Sequence, residues 1–200
     1  MMTRSRFFAA LVALVALVAV TPASAGSPES AKAFVDGFAS KVLKIVSDSA
    51  NSRSDKQAQI ETLFSDKVDI DYIAKFVLGP SWRTATPAQQ KEYVAAYKPF
   101  ILKNYSGRLT KYSGQTYTLK GARSEGDTAY VTMLINDPDG QNITLDYRLR
   151  DAGGAFKITD ITVEGVSLLN TQRSEFKSVV NSKGIDGLIE ALKKQVAAQG

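Results

Sequence analysis

The 200-residue chain has no cysteine and no histidine. Without cysteine there are no disulfides, so an exported chain must rely on its apolar core alone. Without either residue there is no Ser-His-Asp or Cys-His nucleophile pair, and the commonest zinc, copper and haem ligands are missing. Catalysis would have to rest on carboxylates, lysine or tyrosine, and neither a metal site nor a cofactor is expected. A strong excess of one charge is also lacking. The 25 basic and 20 acidic residues are spread along the chain, without the clustered footprint of a nucleic-acid binder. After the first segment no apolar run is long enough to span a bilayer, so stable membrane insertion is not expected.

That first segment reads as an address. Arg4 and Arg6 precede the apolar run FFAALVALVALVAV (residues 7–20), which is too short for a comfortable span, and the small-residue triplet ASA follows at 23–25. This is a secretory signal, with cleavage expected after Ala25. No Arg-Arg pair marks the twin-arginine route, and no cysteine follows to carry a lipid anchor. The expected mature chain, residues 26–200, is one domain. Losing Arg4 and Arg6 takes its net charge from +5 to +3.

Residues 28–46 read as an amphipathic helix, with Phe34, Phe38, Val42 and Ile45 on one stripe. A shorter helix is expected around residues 56–64. A third follows in VDIDYIAKFVLG, capped by Asp69 or Asp71 and stopped at Gly79-Pro80. Thr86-Pro87-Ala88-Gln89 is the clearest start: Thr86 fits the N-cap, Pro87 the first helical position and Gln89 the capping-box partner. From there Tyr93, Tyr97, Ile101, Tyr105 and Leu109 recur every four residues, with Pro99 expected to kink the helix.

After Tyr112 the period changes from helical to two. TYTLKGAR, TAYVTMLIN, NITLDYRLR and AFKITDITVE read as four strands joined by SEGD, DPDGQ and DAGG turns. The last strand changes phase between Phe156/Ile158 and Ile161/Val163, which predicts a bulge or a strand covered on both faces. Two helical stripes close the chain, separated at Gly184. The expected fold is α+β: a curved four-stranded antiparallel meander whose N- and C-terminal helices cover one face.

Candidate chemistry is thin. Ser174-Glu175-Phe176-Lys177 matches the S-x-x-K nucleophile pattern, but no S-D-N or K-T-G partner motif accompanies it. GARSEGDT and DPDGQN imitate a phosphate loop and a calcium loop only in part, and both read as turns. Asp69, Asp71, Asp160 and Glu164 offer carboxylates for glycosidic hydrolysis, against helix caps and ion pairs with Arg83 or Arg173. The helical tyrosines Tyr93, Tyr97 and Tyr105 can face Tyr117, Leu119, Val131, Met133, Leu145 and Tyr147 on the sheet. Periodicity alone leaves two readings, an ordinary core and a cavity. Periodicity favours the ordinary core, and three tyrosines weaken that reading a little, because each buried hydroxyl needs a partner and a cavity rim or lining supplies one more easily.

Three stretches together carry a resemblance: VDIDYIAKFVLGPSWRTATPAQQKEYVAAY (68–97), LTKYSG (109–114) and ITDITVEGVSLLNTQRSEF (158–176). In this order and spacing the chain resembles the toluene-tolerance, or MlaC-type, family of periplasmic phospholipid-binding proteins. The resemblance implies an apolar pocket between sheet and helices that holds acyl chains, with the head group outside. It also implies shuttling between an inner-membrane ABC lipid-transfer complex and an outer-membrane lipoprotein–porin complex, without catalysis. On that reading the stripe and strand residues above become lipid-binding candidates, with Val163 and Phe176 added. Trp82, Arg83, Asp160 and Arg173 form either a structural anchor or the pocket mouth. In the structural version Trp82 closes the turn between two helices and Arg83 pairs with Asp160 or Glu164. Thr171-Gln172 stands where this family more often has an aromatic before the arginine, and one branch of the family is associated with hopanoids. A hopanoid carrier and a non-lipid periplasmic adaptor are the alternative readings.

Overall fold

The computed structural model describes residues 26–110, 114–138 and 140–199. The expected leader and residues 111–113 of the LTKYSG stretch lie outside the described residues.

Each early helix starts on a side-chain cap. Ser27 Oγ accepts from Ser30 N at 3.1 Å to open α1 (Pro28–Ser47), and Ser52 and Asp55 form a capping box for α2 (Arg53–Lys67). Of the two carboxylates at the start of α3 (Ile70–Leu78), Asp69 is the cap, accepting from Tyr72 N at 3.1 Å. The short α4 (Pro80–Thr84) intervenes before α5 (Pro87–Leu109), which begins on the Thr86/Gln89 capping box. Pro99 does not interrupt α5. The ring removes the bond to the Ala95 carbonyl, and Ala95 lies on the exposed side, where water can satisfy it.

Gly79 makes the turn from α3 to α4 with φ 61° and ψ −133°, and a Cβ there would sit 3.2 Å from Arg173 Nε. Backbone strain and a side-chain collision act together at this position. Gly79→Ala is expected to lose about 1–3 kcal/mol of stability, measured by urea unfolding.

The sheet is a meander in the order β1 (Thr116–Glu125), β2 (Thr128–Asn136), β3 (Asn142–Asp151), β4 (Phe156–Val163) and β5 (Val166–Ser167), every neighbour antiparallel. Four strands were expected and five are present among the described residues. Glu164 (φ 46°) and Gly165 (φ 80°) both take positive φ, so the chain turns in two residues and Val166 pairs back on Val163. The phase change in β4 is a bulge. Arg148 faces Asp160 and Leu149 faces Ile158, which leaves Thr159 as the extra residue. It brings Ile161 into the same apolar cluster as Phe156 and Ile158. The final helix, α6 (Leu168–Ala197), breaks at Gly184 (φ 71°, ψ 179°), the stop read from the sequence.

Two apolar layers result. In one, α1 and α2 cover the inner face of the sheet: Val35, Phe38, Ile60 and Phe64 pack with Val131, Met133, Tyr147 and Leu149. The other is helical, with α3, α5 and α6 enclosing Tyr93, Tyr97, Phe100, Phe176 and Leu188. Val68, Leu102 and Tyr105 touch both layers and mark the seam between them. A short stitch crosses it, where Val68 bridges Ile158 and Asp69 N donates to Ile158 O at 2.9 Å.

Candidate functional site

A cavity lies on this seam, with a volume of ≈ 70 Å³. From the sheet layer it is lined by Phe64, Ile158, Thr159, Asp160 and Ile161, and from the helical layer by Ile73, Ile101, Leu168, Leu169 and Gln172. Val68 and Tyr105 complete the wall. Most of these side chains are apolar, and the polar ones, Thr159, Asp160 and Gln172, gather near the start of α6. Thr159 Oγ1 donates to Arg148 O at 3.2 Å, and the Asp160 carboxylate accepts from Ser167 Oγ at 2.6 Å and from Leu169 N at 3.1 Å. Asp160 therefore holds the amino end of α6.

Of the residues proposed from sequence, the structure brings Ile101, Tyr105 and Asp160 to this cavity. Tyr93 and Tyr97 do not face the sheet. They are fully buried in the helical layer, where Phe176 packs edge-on against both rings at 6.4 and 5.9 Å. The face of the sheet expected for them is taken by α1: Phe38 meets Tyr147 at 6.2 Å, and Tyr117 Oη donates to the Asp36 carboxylate at 2.7 Å. Val131, Met133 and Tyr147 are core under α1, Leu119 and Leu145 pack at the margin of that core, and Val163 pairs with Val166 at the hairpin. The buried hydroxyls find partners without a cavity. Tyr93 Oη donates to Ala74 O at 3.0 Å, and Tyr97 Oη donates to Gln172 Oε1.

Trp82 rests edge-on against Tyr93 at 6.5 Å, its carbonyl accepts from Gln90 Nε2 at 2.8 Å, and Lys75 Nζ lies 5.6 Å from its ring. The expected ion pair of Arg83 with Asp160 or Glu164 is not formed. Arg83 is exposed on α4, Asp160 is committed to α6, and Glu164 accepts from Thr144 N. It is Arg173 that reaches the α3–α4 turn, over the Phe76 ring at 4.7 Å and against Gly79. Sequence reasoning missed the wall residues Phe64, Val68, Ile73, Ile158 and Leu169, which read there only as core positions.

Burial raises the phenol pKa of Tyr93, Tyr97, Tyr105 and Tyr147, and desolvation with the Asp36 hydrogen bond pushes Tyr117 up to about 12. A phenol whose pKa is raised on folding contributes stability that is complete below the unfolded value of 10.0 and is lost as pH rises through the folded value. Histidine is absent, so no imidazole titrates near neutrality. The urea midpoint is expected to be level from pH 6 to about 9 and to fall above about 10, with the tyrosinate absorbance of the buried phenols Tyr93, Tyr97 and Tyr147 appearing only on unfolding.

Among the described residues there is no group of three or more His, Cys, Asp or Glu that could hold a metal, and no helix is long and apolar enough to cross a membrane. Ser174 Oγ donates to Asn170 O at 3.0 Å on an exposed helical face, so the S-x-x-K serine is not aimed at a pocket.

Known proteins share this architecture. The phospholipid-binding protein of Ralstonia solanacearum, solved in complex with a phospholipid, superposes with a TM-score of 0.73 at 25% identity, covering 84% of this chain and 98% of that one. The intermembrane phospholipid transport system binding protein MlaC of Haemophilus influenzae is 22% identical over 135 residues, 65% of this chain and 63% of the relative. Toluene tolerance protein ttg2D of Pseudomonas putida is 27% identical over 121 residues, 60% of this chain and 56% of the relative. Both matches span less than two thirds of the relative's own length. The profile of the MlaC protein family matches residues 36–194, nearly every element that builds the two layers and the cavity on their seam, and the chain belongs to that family.

Proposed function

We infer that this protein is a periplasmic, non-enzymatic carrier that takes the acyl chains of a phospholipid into the seam between its layers. It passes the lipid between an inner-membrane ABC lipid-transfer complex and an outer-membrane lipoprotein–porin complex. The leader at residues 1–25 is its route of export, and residues 26–200 are its single domain. The observation that carries the reading is the apolar cavity on the seam, in a fold whose solved relative was captured with a phospholipid.

A volume of ≈ 70 Å³ is far less than two acyl chains occupy, so loading requires the layers to part. The wall suits that motion, because apolar surfaces separate and reclose without leaving polar groups unpaired. Polar ties across the seam include Asp69 N to Ile158 O, the Asp69–Arg150 ion pair, Ser106 Oγ to Glu61 Oε1 at 3.1 Å, Leu169 N to the Asp160 carboxylate at 3.1 Å and Arg53 Nε to Thr110 Oγ1 at 3.4 Å. Parting the layers must break those on the opening side. The energetics favour hand-off over release. At roughly 0.8 kcal/mol per buried methylene, a chain burying about fourteen gains on the order of 11 kcal/mol over water, and a bilayer offers much the same. Exchange with a membrane is therefore near balance, escape into water is prohibitive, and direction must come from a partner's energy source.

Mass spectrometry of lipid extracted from the gently purified mature protein tests this. About one diacyl phospholipid per chain is expected. A hopanoid in its place would keep the carrier and change the cargo. Folded protein with no lipid would sink the carrier and favour an adaptor with a solid core.

A further inference from the structure

We propose that Gln172 is a specificity-determining residue of the seam cavity, donating from its carboxamide Nε2 to an ester carbonyl oxygen of a glycerolipid. The inference rests on the carrier reading above and deepens it.

Gln172 is 7% exposed and lines the cavity. Its Oε1 is fixed, because it accepts the hydroxyl of Tyr97, a fully buried phenol with no other acceptor among the described residues. Turning the amide over would leave that phenol proton unpaired, so the orientation is set. The Nε2 end then has no protein partner among the described residues. The free amide donor is therefore available on the cavity wall, and an acceptor oxygen arriving with the cargo can take its hydrogen bond.

The other polar groups on the wall do not offer the same chemistry. Thr159 Oγ1 is given to Arg148 O, and the Asp160 carboxylate is occupied by Ser167 and Leu169 N and would repel a phosphate. Leu169, whose N–H Asp160 holds, lies one helical turn before Gln172, so the amide stands at the polar end of an otherwise apolar space. A neutral acceptor that sits just above a pair of hydrocarbon chains fits this position, and an ester carbonyl is such a group. Tyr105, half-buried on the same wall, also has a hydroxyl without a hydrogen bond to the described residues, which makes it the natural control.

The test compares binding of a diacyl phosphatidylglycerol with that of its dialkyl ether analogue, which has the same chains and head group but no carbonyl. The delipidated mature protein is titrated with each from vesicles. Wild type is expected to prefer the ester by about 2- to 10-fold, the worth of one hydrogen bond. In Gln172→Met the ratio is expected to fall to near 1. Because that change strands the Tyr97 hydroxyl, the Tyr97→Phe/Gln172→Met double variant is measured beside it, with the same ratio expected. Tyr105→Phe is expected to keep the wild-type preference. Equal binding of the two lipids by wild type, a preference that survives both Gln172 variants, or one lost only in Tyr105→Phe would each overturn the proposal. Binding of neither lipid by wild type would overturn the carrier reading and the proposal with it, so the two failures are distinct.

Discussion

Phe176→Ala is expected to cost about 3–5 kcal/mol of folding stability, the range for emptying a large aromatic site in a well-packed core. Phe176 is 6% exposed and meets three rings: Tyr93 at 6.4 Å, Tyr97 at 5.9 Å and Phe100 at 6.1 Å. Those neighbours sit on one rigid helix, α5, and cannot collapse into the void without breaking the Tyr93–Ala74 and Tyr97–Gln172 hydrogen bonds. The transfer term and the cavity term therefore both apply. Urea unfolding of delipidated protein measures the loss. A change below about 1 kcal/mol would mean that the ring lies against movable cargo space, as the family resemblance implied, instead of in the fixed helical core.

Ile161→Trp is expected to abolish lipid loading while leaving the protein folded. Ile161 is half-buried on the sheet side of the cavity, just beyond the Thr159 bulge, with Tyr147 opposite it on β3. An indole at this point occupies the space the first methylenes would take. Excluding about four of them forfeits roughly 3 kcal/mol, on the order of a 100-fold loss in lipid retained. Overpacking costs about 1–3 kcal/mol of stability, less than the Phe176 truncation. The contrast between the variants is the informative result. Phe176→Ala should lose more stability, and Ile161→Trp should lose cargo at a smaller cost in stability. An Ile161→Trp variant that still carries one lipid per chain would move the loading site away from the seam.

The local structure of this protein was legible because it is encoded by neighbours in the chain. Ser27, Asp69 and Thr86 cap the helices that follow them, Gly184 breaks the last one, and period-two runs became β1 to β4, each decided within a few residues. The phase slip between Ile158 and Ile161 announced the bulge at Thr159, since a single extra residue is what inverts a strand's parity. The fifth strand was less visible, because two residues after a positive-φ Glu-Gly turn carry no periodicity of their own.

The site was legible only in part, and the reason is physical. An apolar stripe fixes which side of a helix is buried and says nothing of what covers it. The tyrosine stripe of α5 and the inner face of the sheet both demanded a partner, and sequence alone joined them to each other. Tertiary structure instead placed α1 on the sheet and turned Tyr93 and Tyr97 toward α3 and α6. The cavity was left on the seam, where Ile101 and Tyr105 of the stripe meet Phe64, Ile158 and Leu169 from remote parts of the chain. By itself the sequence determined the elements, the absence of the usual catalytic groups and the family resemblance. Only the packing decided where the cavity lies, because burial of apolar surface has no direction and competing partners are chosen by the whole fold at once.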